Sequence, residues 1–570
     1  MPHPRPAFNT TLSRWPLGAA LTLASWALVQ GGDLSGSVKE RATDLGVPRA
    51  IVMVTDATTG LIAGSGATDE QGHYSVTVPG SGRYHLRASK LGYVPAPVAV
   101  SEGTGDRAVD FALSREPWLL AQPDRKPVLD WETGAGKSYL IPALEIPTFL
   151  FLLNFYDRKA SPDLMENGKR VYGTNLTTLK NHALHGPWGI DTDAFAMNQF
   201  NHPYSGTVYY GFARSAGLSY WESLLYTSGG SLLWELGGET TNPSYNDQIA
   251  TGIGGSFFGE ALFRMSSMVL EGDGTPPGFW RKFGATLLAP SASINRFAFG
   301  ERFKPIFPSH DPALFWRLRL GDSPHTDFND QGTRTTISRH EATADYSLVY
   351  GLPGKSGYAY DRPFDYFQFD LTSLGSRSNP VDTIQIRGLL LGTDYELGDS
   401  YKAIWGLYGG YDYISPRIFR VSSTSISVGT TFQWMPTPAF VIQGSALGGI
   451  GYAAAGSVSQ VGERDYHYGV APQGLVALRV ILGDWAMLDL TGRRFFLTGM
   501  GGDDPGGREA IDRLNLGLTL RVYSRHALGI QYVASSRDAR YPNRPGSHQT
   551  VGTIAIVYNL LGTTGFGVVK

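Results

Sequence analysis

Apolar residues occupy every second position in several segments near the end of the chain. The clearest series is Leu514, Leu516, Leu518, Leu520 and Val522, which alternates with polar or small residues. Because successive side chains of a β-strand point to opposite faces, this spacing predicts strands with one apolar face. The segments run roughly 9 to 13 residues between turns, as membrane strands do, whereas soluble strands average about 5 to 6. Residues 291–570 are therefore predicted to form an antiparallel transmembrane β-barrel of roughly 10–12 strands.

The composition agrees with such a barrel. Only 17% of the residues are charged, 12% are aromatic and 71 of 570 are Gly, whereas a soluble domain has about 25% charged residues. A Gly-rich soluble β-protein is the alternative. The net charge of -2 argues against a nucleic-acid partner. The absence of Cys excludes disulfides, thiolate metal sites and a Cys nucleophile.

The N-terminus has the pattern of a secretory signal peptide, predicted for residues 1–31. Arg5 and Arg14 precede the apolar run LGAALTLASWALV, which is too short to span a membrane comfortably. An uncleaved anchor is the alternative. For an exported chain with a barrel we expect the outer membrane of a Gram-negative envelope, with outer-membrane lipid as a partner.

Residues 33–115 are predicted to form a small β-sandwich. AIVMVTDATTG and HYSVTV alternate like strands and are separated by the turn sequence Asp69-Glu70-Gln71-Gly72. The pattern from GSVKE through TDEQGHYSVTVPGSGRYHLRASKLGYVP resembles the carboxypeptidase regulatory-like (transthyretin-like) domain. The resemblance implies a periplasmic accessory module without catalysis. It also allows a periplasmic protein partner.

Residues 116–137 are Pro-rich and polar, and we interpret them as a linker. The sequence GAGKS at 134–138 is not a phosphate-binding loop, because Trp131 stands where the motif requires its first Gly. No cofactor is expected.

Residues 138–290 are predicted to be helical. The first segment, SYLIPALEIPTFLFLLNFYDR, is apolar and interrupted by two prolines, as in a kinked helix at a membrane surface or in a core. A second helix should begin with Ser205 as N-cap and stop at Gly217, and a third should begin at Ser219 with Glu222 in a capping box. A fourth should begin at Ser244.

These helices carry more ionisable and polar residues than an apolar segment tolerates without partners. Glu235 and Glu239 are spaced i,i+4, which predicts one helix face. The catalytic candidates are His202, Glu235, Glu239 and Asp247, which are suited to acid–base chemistry, with Ser205 or Ser244 as a nucleophile. The sequence does not determine whether these residues bind a metal ion. The polar-core candidates are Asn198, Arg214, Glu222 and Glu260.

The helical segment resembles the DUF3943 family of uncharacterised bacterial envelope proteins. The likeness rests on PWGIDTDAFAMNQFNHPYSGTVYYGFARSAGLSYWES and, less strongly, on NPSYNDQIATGIGGSFFGEALFR. It implies no particular activity. A structural polar network and a chemical site are both open interpretations of the polar residues.

The sequence favours an outer-membrane protein with a role in envelope structure or transport. The sandwich would lie in the periplasm, and the helices would lie under the barrel or plug its lumen. The alternative is an envelope enzyme that acts on a lipid or cell-wall substrate through the central polar residues.

Overall fold

A computed structural model describes the chain between residues 32 and 569. Outside the description lie residues 1–31, 42–43, 59–61, 79–81, 91–92, 95–98, 103–107, 116–130, 132–133, 135, 167, 192, 273–276, 301–302, 305, 307–311, 331, 338–340, 357, 376–380, 417, 459–463, 503–505, 543–544 and 570. The predicted signal peptide and most of the predicted linker therefore fall outside the described residues. The chain divides into two compact units, 1–116 and 117–570.

The first unit consists of two four-stranded sheets around one apolar core. Its strands are β1 (Gly32–Glu40), β2 (Ile51–Asp56), β3 (Ile62–Ala67), β4 (His73–Val78), β5 (Arg83–Ser89), β6 (Tyr93–Val94), β7 (Ala99–Glu102) and β8 (Phe111–Arg115). The sheets have the orders β4-β1-β8-β6 and β3-β2-β5-β7. Alternate residues of β4 and β5 are buried, as their period-two pattern predicts. The predicted sandwich is confirmed.

The turn before β4 forms as its residue types predict. The Asp69 Oδ1 atom accepts hydrogen bonds from the backbone N–H groups of Gln71 and His73, and Gly72 has a φ of 84°.

The second unit begins with helices. They are α1 (Leu140–Ala160), α2 (Leu176–His185), α3 (His202–Ser215), α4 (Tyr220–Gly237), α5 (Tyr245–Asp247), α6 (Gly255–Glu271), α7 (Phe279–Leu288) and α8 (Pro290–Ala298). The short strands β9 (Met165–Glu166) and β10 (Lys169–Arg170) lie between α1 and α2. Two π-helical stretches, Met197–Asn201 and Gln248–Gly254, continue into α3 and α6. Among the described helices, α1 alone is long and apolar enough to cross a membrane, by length and composition.

Small residues bring α3 and α6 into close contact. A Cβ atom at Gly206 would lie 2.1 Å from the Thr251 carbonyl oxygen, and one at Gly255 would lie 2.7 Å from the Gly206 Cα. At Gly259 an added Cβ would meet the Tyr210 side chain at 2.8 Å. The Gly255-x-x-x-Gly259 spacing therefore allows the two helices to pack closely.

The helix ends agree with the sequence in two places and differ in two. The Ser219–Glu222 capping box forms, and Gly217, with a φ of 85°, follows the end of α3. Ser205 lies inside α3, because the helix begins at His202 after the π-helical stretch. Ser244 precedes α5, but its hydroxyl group makes no capping hydrogen bond.

The remaining strands form a barrel. They are β11 (Leu314–Asp330), β12 (Thr333–Ile337), β13 (Ala342–Tyr350), β14 (Phe367–Leu374), β15 (Val381–Glu396), β16 (Tyr401–Ile414), β17 (Phe419–Thr437), β18 (Phe440–Ser457), β19 (Tyr466–Leu482), β20 (Ala486–Gly502), β21 (Arg508–Tyr523), β22 (His526–Arg540) and β23 (Ser547–Leu561). Each strand from β13 to β23 pairs antiparallel with the next, and β11 pairs with both β13 and β23. The described strands therefore close a ring of twelve, with β12 as a hairpin extension of β11. The predicted barrel and strand number are confirmed.

The outer face of this ring is apolar over much of its surface. Leu514, Leu516, Leu518, Leu520 and Val522 are exposed, and so are the matching alternate residues of β22 and β23. Trp434, Trp485 and Tyr523 are exposed beside the tight turns at one end. An outward apolar band with an aromatic girdle is the arrangement of an outer-membrane-type barrel.

The helices pack on the outside of the barrel. On β16, Tyr411 and Tyr413 share a face with the exposed Trp405, whereas Asp412 on the other face reaches Arg493 across the lumen. Tyr411 stacks on Phe258 of α6 at 5.8 Å, and Tyr413 lies 5.8 Å from the ring of Phe195. The described helices therefore cover part of the outer wall and do not plug the lumen.

Candidate functional site

The predicted catalytic residues lie where the two π-helical stretches meet α4. His202 follows the first stretch, Asp247 precedes the second, and Glu235 lies in the last turn of α4. We call His202, Glu235, Ser244 and Asp247 the helical polar cluster. π-Helical turns occur frequently at functional sites.

The cluster is connected by short contacts. The His202 Nε2 atom lies 3.8 Å from the Asp247 Oδ1 atom. Glu235 Oε2 accepts a hydrogen bond of 2.7 Å from the Ser244 backbone N–H, and the Ser244 hydroxyl group donates to the Asp247 carboxylate. The structure thus brings together three of the four predicted catalytic residues.

Glu239 is placed differently from the prediction. Helix α4 ends at Gly237, so Glu239 does not share a helix face with Glu235. Its carboxylate instead accepts hydrogen bonds from Trp234 Nε1 at 3.1 Å and Thr241 Oγ1 at 3.0 Å. Gly237 and Gly238 explain why α4 ends here, because glycine destabilises a helix interior and is common at helix C-termini.

Burial and mutual repulsion shift the protonation of the acidic groups. Burial, and then the Asp247 carboxylate, raise the pKa of Glu235 to about 8. Burial raises the pKa of Glu239 to about 7 and also raises that of Asp247. Burial alone would lower the pKa of His202, but the Asp247, Glu239 and Glu235 carboxylates outweigh it and raise that pKa. The cluster therefore combines a histidine with carboxyl groups whose pKa values are raised by burial, as is common at functional sites.

Asn198 connects the helices to the barrel wall. Its Nδ2 atom lies 2.9 Å from both the Asp191 Oδ2 and the Tyr466 OH atoms. Asn246 donates to the Tyr468 OH at 2.9 Å, and the Tyr411 OH donates to the Gln199 carbonyl. These tyrosines fix the helices on the wall. The sequence pattern did not single out this pairing of helix amides with strand tyrosines.

Arg214 and Glu260 belong to a second, fully buried network. Glu260 accepts hydrogen bonds from Arg214 Nε at 2.8 Å and from Arg264 Nε at 2.8 Å. Arg264 Nη1 continues to Asp365 Oδ1 at 3.1 Å, in the loop before β14. Although burial opposes it, the two guanidinium groups lower the pKa of Glu260 to about 2. This network joins α3 and α6 to the barrel, which is a structural role.

Glu222 lies outside both networks. Its carboxylate completes the capping box at Ser219 and also accepts hydrogen bonds from Lys137 at 2.8 Å and Tyr139 at 2.6 Å. Although burial opposes them, the Lys137 and Tyr139 hydrogen bonds lower the pKa of Glu222 to about 2.

The lumen of the barrel contains a polar cavity of about 170 Å³, which we call the lumen chamber. Its wall carries both charge signs. The charged lining residues are Arg317, Arg319, Glu341, Asp345, Asp370, Asp382, Arg387, Arg479, Asp489, Arg493 and Arg513. Arg493 on β20 pairs with Asp412 on β16, and Arg317 on β11 pairs with Asp489 on β20. Because these strands are four apart in the ring, the pairs cross the lumen. The alternation of the strands predicts inward Arg and Asp residues but not their pairing.

The C-terminal tail, residues 562–569, closes one end of this chamber. Gln433 Nε2 donates to the Val569 carbonyl at 2.7 Å, and Gln443 Nε2 donates to the Gly567 carbonyl at 2.8 Å. Phe566 is fully buried in an apolar cluster with inward residues such as Phe315 and Val349. A C-terminal aromatic residue at the lipid boundary is usual for barrels, but Phe566 instead fills the lumen.

Among the described residues, no group of three or more His, Asp or Glu side chains is arranged to hold a metal ion.

Comparisons with known proteins match three parts of the chain separately. Residues 33–114 match the family model of the carboxypeptidase regulatory-like domain, and residues 187–291 match that of the domain of unknown function DUF3943. No curated protein matches the sequence.

Solved barrels resemble the C-terminal part weakly. The NanC porin has 10% identity and a TM-score of 0.22, covering 43% of this chain and 99% of its own. The toluene transporter TodX of Pseudomonas putida has 9% identity and a TM-score of 0.19, covering 44% and 90%. The outer-membrane channel DcaP of Acinetobacter baumannii has 10% identity and a TM-score of 0.21, covering 44% and 96%. These scores are low, so the assignment of the barrel rests on its own closed hydrogen-bonded ring.

The chain thus contains a carboxypeptidase regulatory-like domain at residues 33–114 and a DUF3943 domain at residues 187–291, followed by an outer-membrane-type β-barrel.

Proposed function

We propose that this protein is an outer-membrane β-barrel protein that holds or passes small polar solutes in its lumen. One observation carries the proposal: a charged chamber lies inside a barrel whose outer face exposes a broad band of Leu, Ile and Val. A soluble protein rarely exposes an apolar surface of this extent, whereas a membrane barrel requires it.

The connection lengths suggest an orientation. Four connections at one end, 397–400, 438–439, 483–485 and 524–525, are short, and one, 351–366, is long. The connections at the opposite end include 458–465 and 541–546. Short turns of outer-membrane barrels face the periplasm. The chain enters the barrel at Leu314 and leaves it at Leu561, both at the short-turn end. We propose that the domain at 33–114 lies in the periplasm.

Membrane fractionation followed by gel migration tests the proposal. The protein should appear in the outer-membrane fraction and should migrate faster unheated than boiled, because a folded barrel resists detergent. A protein in the soluble periplasmic fraction without such a shift would contradict it. For the orientation, added protease should cleave residues 33–114 only after the outer membrane is opened.

The β-sandwich supports a separate proposal, a periplasmic protein partner. Deletion of residues 33–115 should remove a co-purifying periplasmic protein while the barrel still inserts. Retention of the same partner by the deletion variant would exclude the sandwich as the binding module.

An envelope enzyme is the second candidate. The short contacts among His202, Asp247 and Ser244 support it, but the hydrogen bonds of Ser244 and Asp247 to one another serve a structural network equally well. Asp247→Asn would abolish a hydrolytic activity on lipid or cell-wall material while the folded barrel persists. Equal turnover by the variant would assign the cluster a structural role.

A further inference from the structure

We propose that the lumen chamber binds a small oxyanion, of the carboxylate or phosphate type. This inference rests on the proposed function and names the solute class of the same lumen. It rests on the arginines that line the chamber and on which of them pair with a carboxylate.

Most guanidinium groups of the chamber are matched by carboxylates. Arg319 Nε lies 2.9 Å from Asp345 Oδ1, and Arg479 Nε lies 2.8 Å from Asp489 Oδ1. Arg317 shares Asp489 with Arg479. The guanidinium groups of Arg317 and Arg479 thus share the single Asp489 carboxylate on this side of the chamber.

Arg387 is different. Its described hydrogen bond goes to the neutral Gln368 side-chain oxygen, and no carboxylate lies within ion-pair distance of it among the described residues. The nearby Asp370 carboxylate accepts hydrogen bonds from Ser347 at 2.6 Å and from Gln368 at 2.7 Å. Arg387 therefore contributes a positive charge without a direct counter-ion, although it is only 9% exposed.

Three chamber arginines also have an N–H group without a partner among the residues that the structure describes. The Nε atoms of Arg317, Arg387 and Arg493 are buried and make no hydrogen bond to this part of the chain. A buried charged donor that lacks an acceptor is destabilising. The guanidinium group presents its N–H groups in a planar fork that matches carboxylate and phosphate oxygens, so an oxyanion suits the charge that Arg387 carries without a direct counter-ion.

The size of the chamber limits the ligand. About 170 Å³ holds a solute of a few heavy atoms together with some water. The C-terminal tail bounds the chamber at the short-turn end, where Gln433 and Gln443 hold its backbone. Phosphate and acetate fit these limits.

The test is anion binding by the full-length protein in detergent at constant ionic strength, which holds screening constant. Binding of inorganic phosphate and of acetate is followed by calorimetry, with choline chloride as the cation control. At least one oxyanion should bind, and Arg387→Gln should weaken it about tenfold, as expected for one charge-assisted hydrogen bond. Preference for phosphate or acetate identifies which oxyanion the chamber takes.

A matched control lies on the outer face of the same barrel. Arg494 pairs with Asp512 at 3.5 Å on the exposed wall, so Arg494→Gln should leave the affinity unchanged. Arg387→Lys keeps the charge but not the planar fork, and should bind with intermediate affinity. Gel migration of unheated samples verifies that each variant is folded.

The outcomes separate the two proposals. Absence of binding by a heat-modifiable outer-membrane protein, or equal binding by wild type and Arg387→Gln, overturns the oxyanion site alone. A soluble protein without heat-modifiable migration overturns the proposed function.

Discussion

Glu260 shows how strongly a single carboxylate can hold two elements together. It is fully buried and receives both Arg214 and Arg264, which come from α3 and α6. Removing one member of a buried ion network leaves the others charged and unpaired in a medium that solvates them poorly.

We therefore expect Glu260→Gln to lower the free energy of unfolding by about 3–5 kcal/mol. Thermal unfolding of the purified protein in detergent measures it. Glu222→Gln is the matched control, because a glutamine preserves the capping box, and its effect should stay below about 1 kcal/mol. Equal effects of the two substitutions would show that the buried network is not stabilising.

The helical polar cluster predicts a pH dependence. The pKa of Glu235 is raised from 4.5 to about 8, so the folded state binds this proton more tightly than the unfolded chain does. Stability is then lost as the pH rises from the unfolded value through the folded one. His202, whose pKa is also raised, contributes stability below 6.5 that is lost in the same direction.

The wild-type protein should accordingly unfold at a lower temperature at pH 9 than at pH 6. Glu235→Gln keeps an acceptor for the Ser244 N–H but carries no charge. It should flatten this profile and be more stable than the wild type at pH 9, by an amount on the order of 1 kcal/mol. A variant profile as steep as that of the wild type would remove Glu235 as the cause.

At the scale of elements, the C-terminal tail packs inside the lumen at its short-turn end. Phe566 and Gly567 both have positive φ values, 53° and 79°, and a Cβ at Gly567 would lie 2.4 Å from the Phe315 Cβ. The tail therefore fits the lumen in one tight conformation. Removing it should expose the inward apolar residues at that end.

Because the chain has no Cys, a single introduced cysteine is the one thiol that a labelling reagent can modify, and its labelling rate measures this exposure. Ile404→Cys, at a fully buried position in the apolar cluster that holds the tail, should react slowly with a thiol reagent and quickly once residues 562–570 are deleted. Trp405→Cys, at the neighbouring position on the outer face, should react quickly in both backgrounds. Fast labelling at position 404 with the tail present would show that the tail does not seal the lumen.

The contact between α3 and α6 is equally specific. Gly206→Val places side-chain atoms where the Thr251 carbonyl lies, so the two helices must separate. We expect the helical segment to become sensitive to protease while the barrel keeps its heat-modifiable migration. Gly229→Val is the control, because a Cβ there meets nothing within 4 Å.

At the scale of the whole molecule, the apolar band on the outer face of the barrel must face the lipid bilayer. Leu518 is at the middle of the exposed series on β21, and Val522 is beside the tight turn at 524–525. A charge at the middle of a membrane costs more than one near its surface.

Leu518→Arg should therefore make folding into lipid vesicles less favourable by about 2–4 kcal/mol, and Val522→Arg by about 0–1 kcal/mol. Denaturant titration in vesicles measures both. Equal costs at the two positions would contradict the placement of the band.

Local patterns were sufficient to predict much of this architecture. The alternation of Leu514 to Val522 predicts a strand with one apolar face, because the geometry of a strand alone separates its two faces. The capping box at Ser219 and Glu222 and the stop at Gly217 also depend only on neighbouring residues. The sandwich, the barrel and the start of α4 were predicted for this reason.

The alternation of side chains indicates which residues share a strand face, whereas contacts between distant parts of the chain set what covers that face. Tyr411 and Tyr413 lie on the same strand face as the exposed Trp405. They are covered, because the rings of Phe258 and Phe195, which are distant in sequence, pack against them. Helix spacing likewise predicted one helix face for Glu235 and Glu239, but α4 ends at Gly237, before Glu239. Ion pairs across the lumen depend on barrel closure, which brings together strands far apart in the chain and leaves no mark in any local pattern.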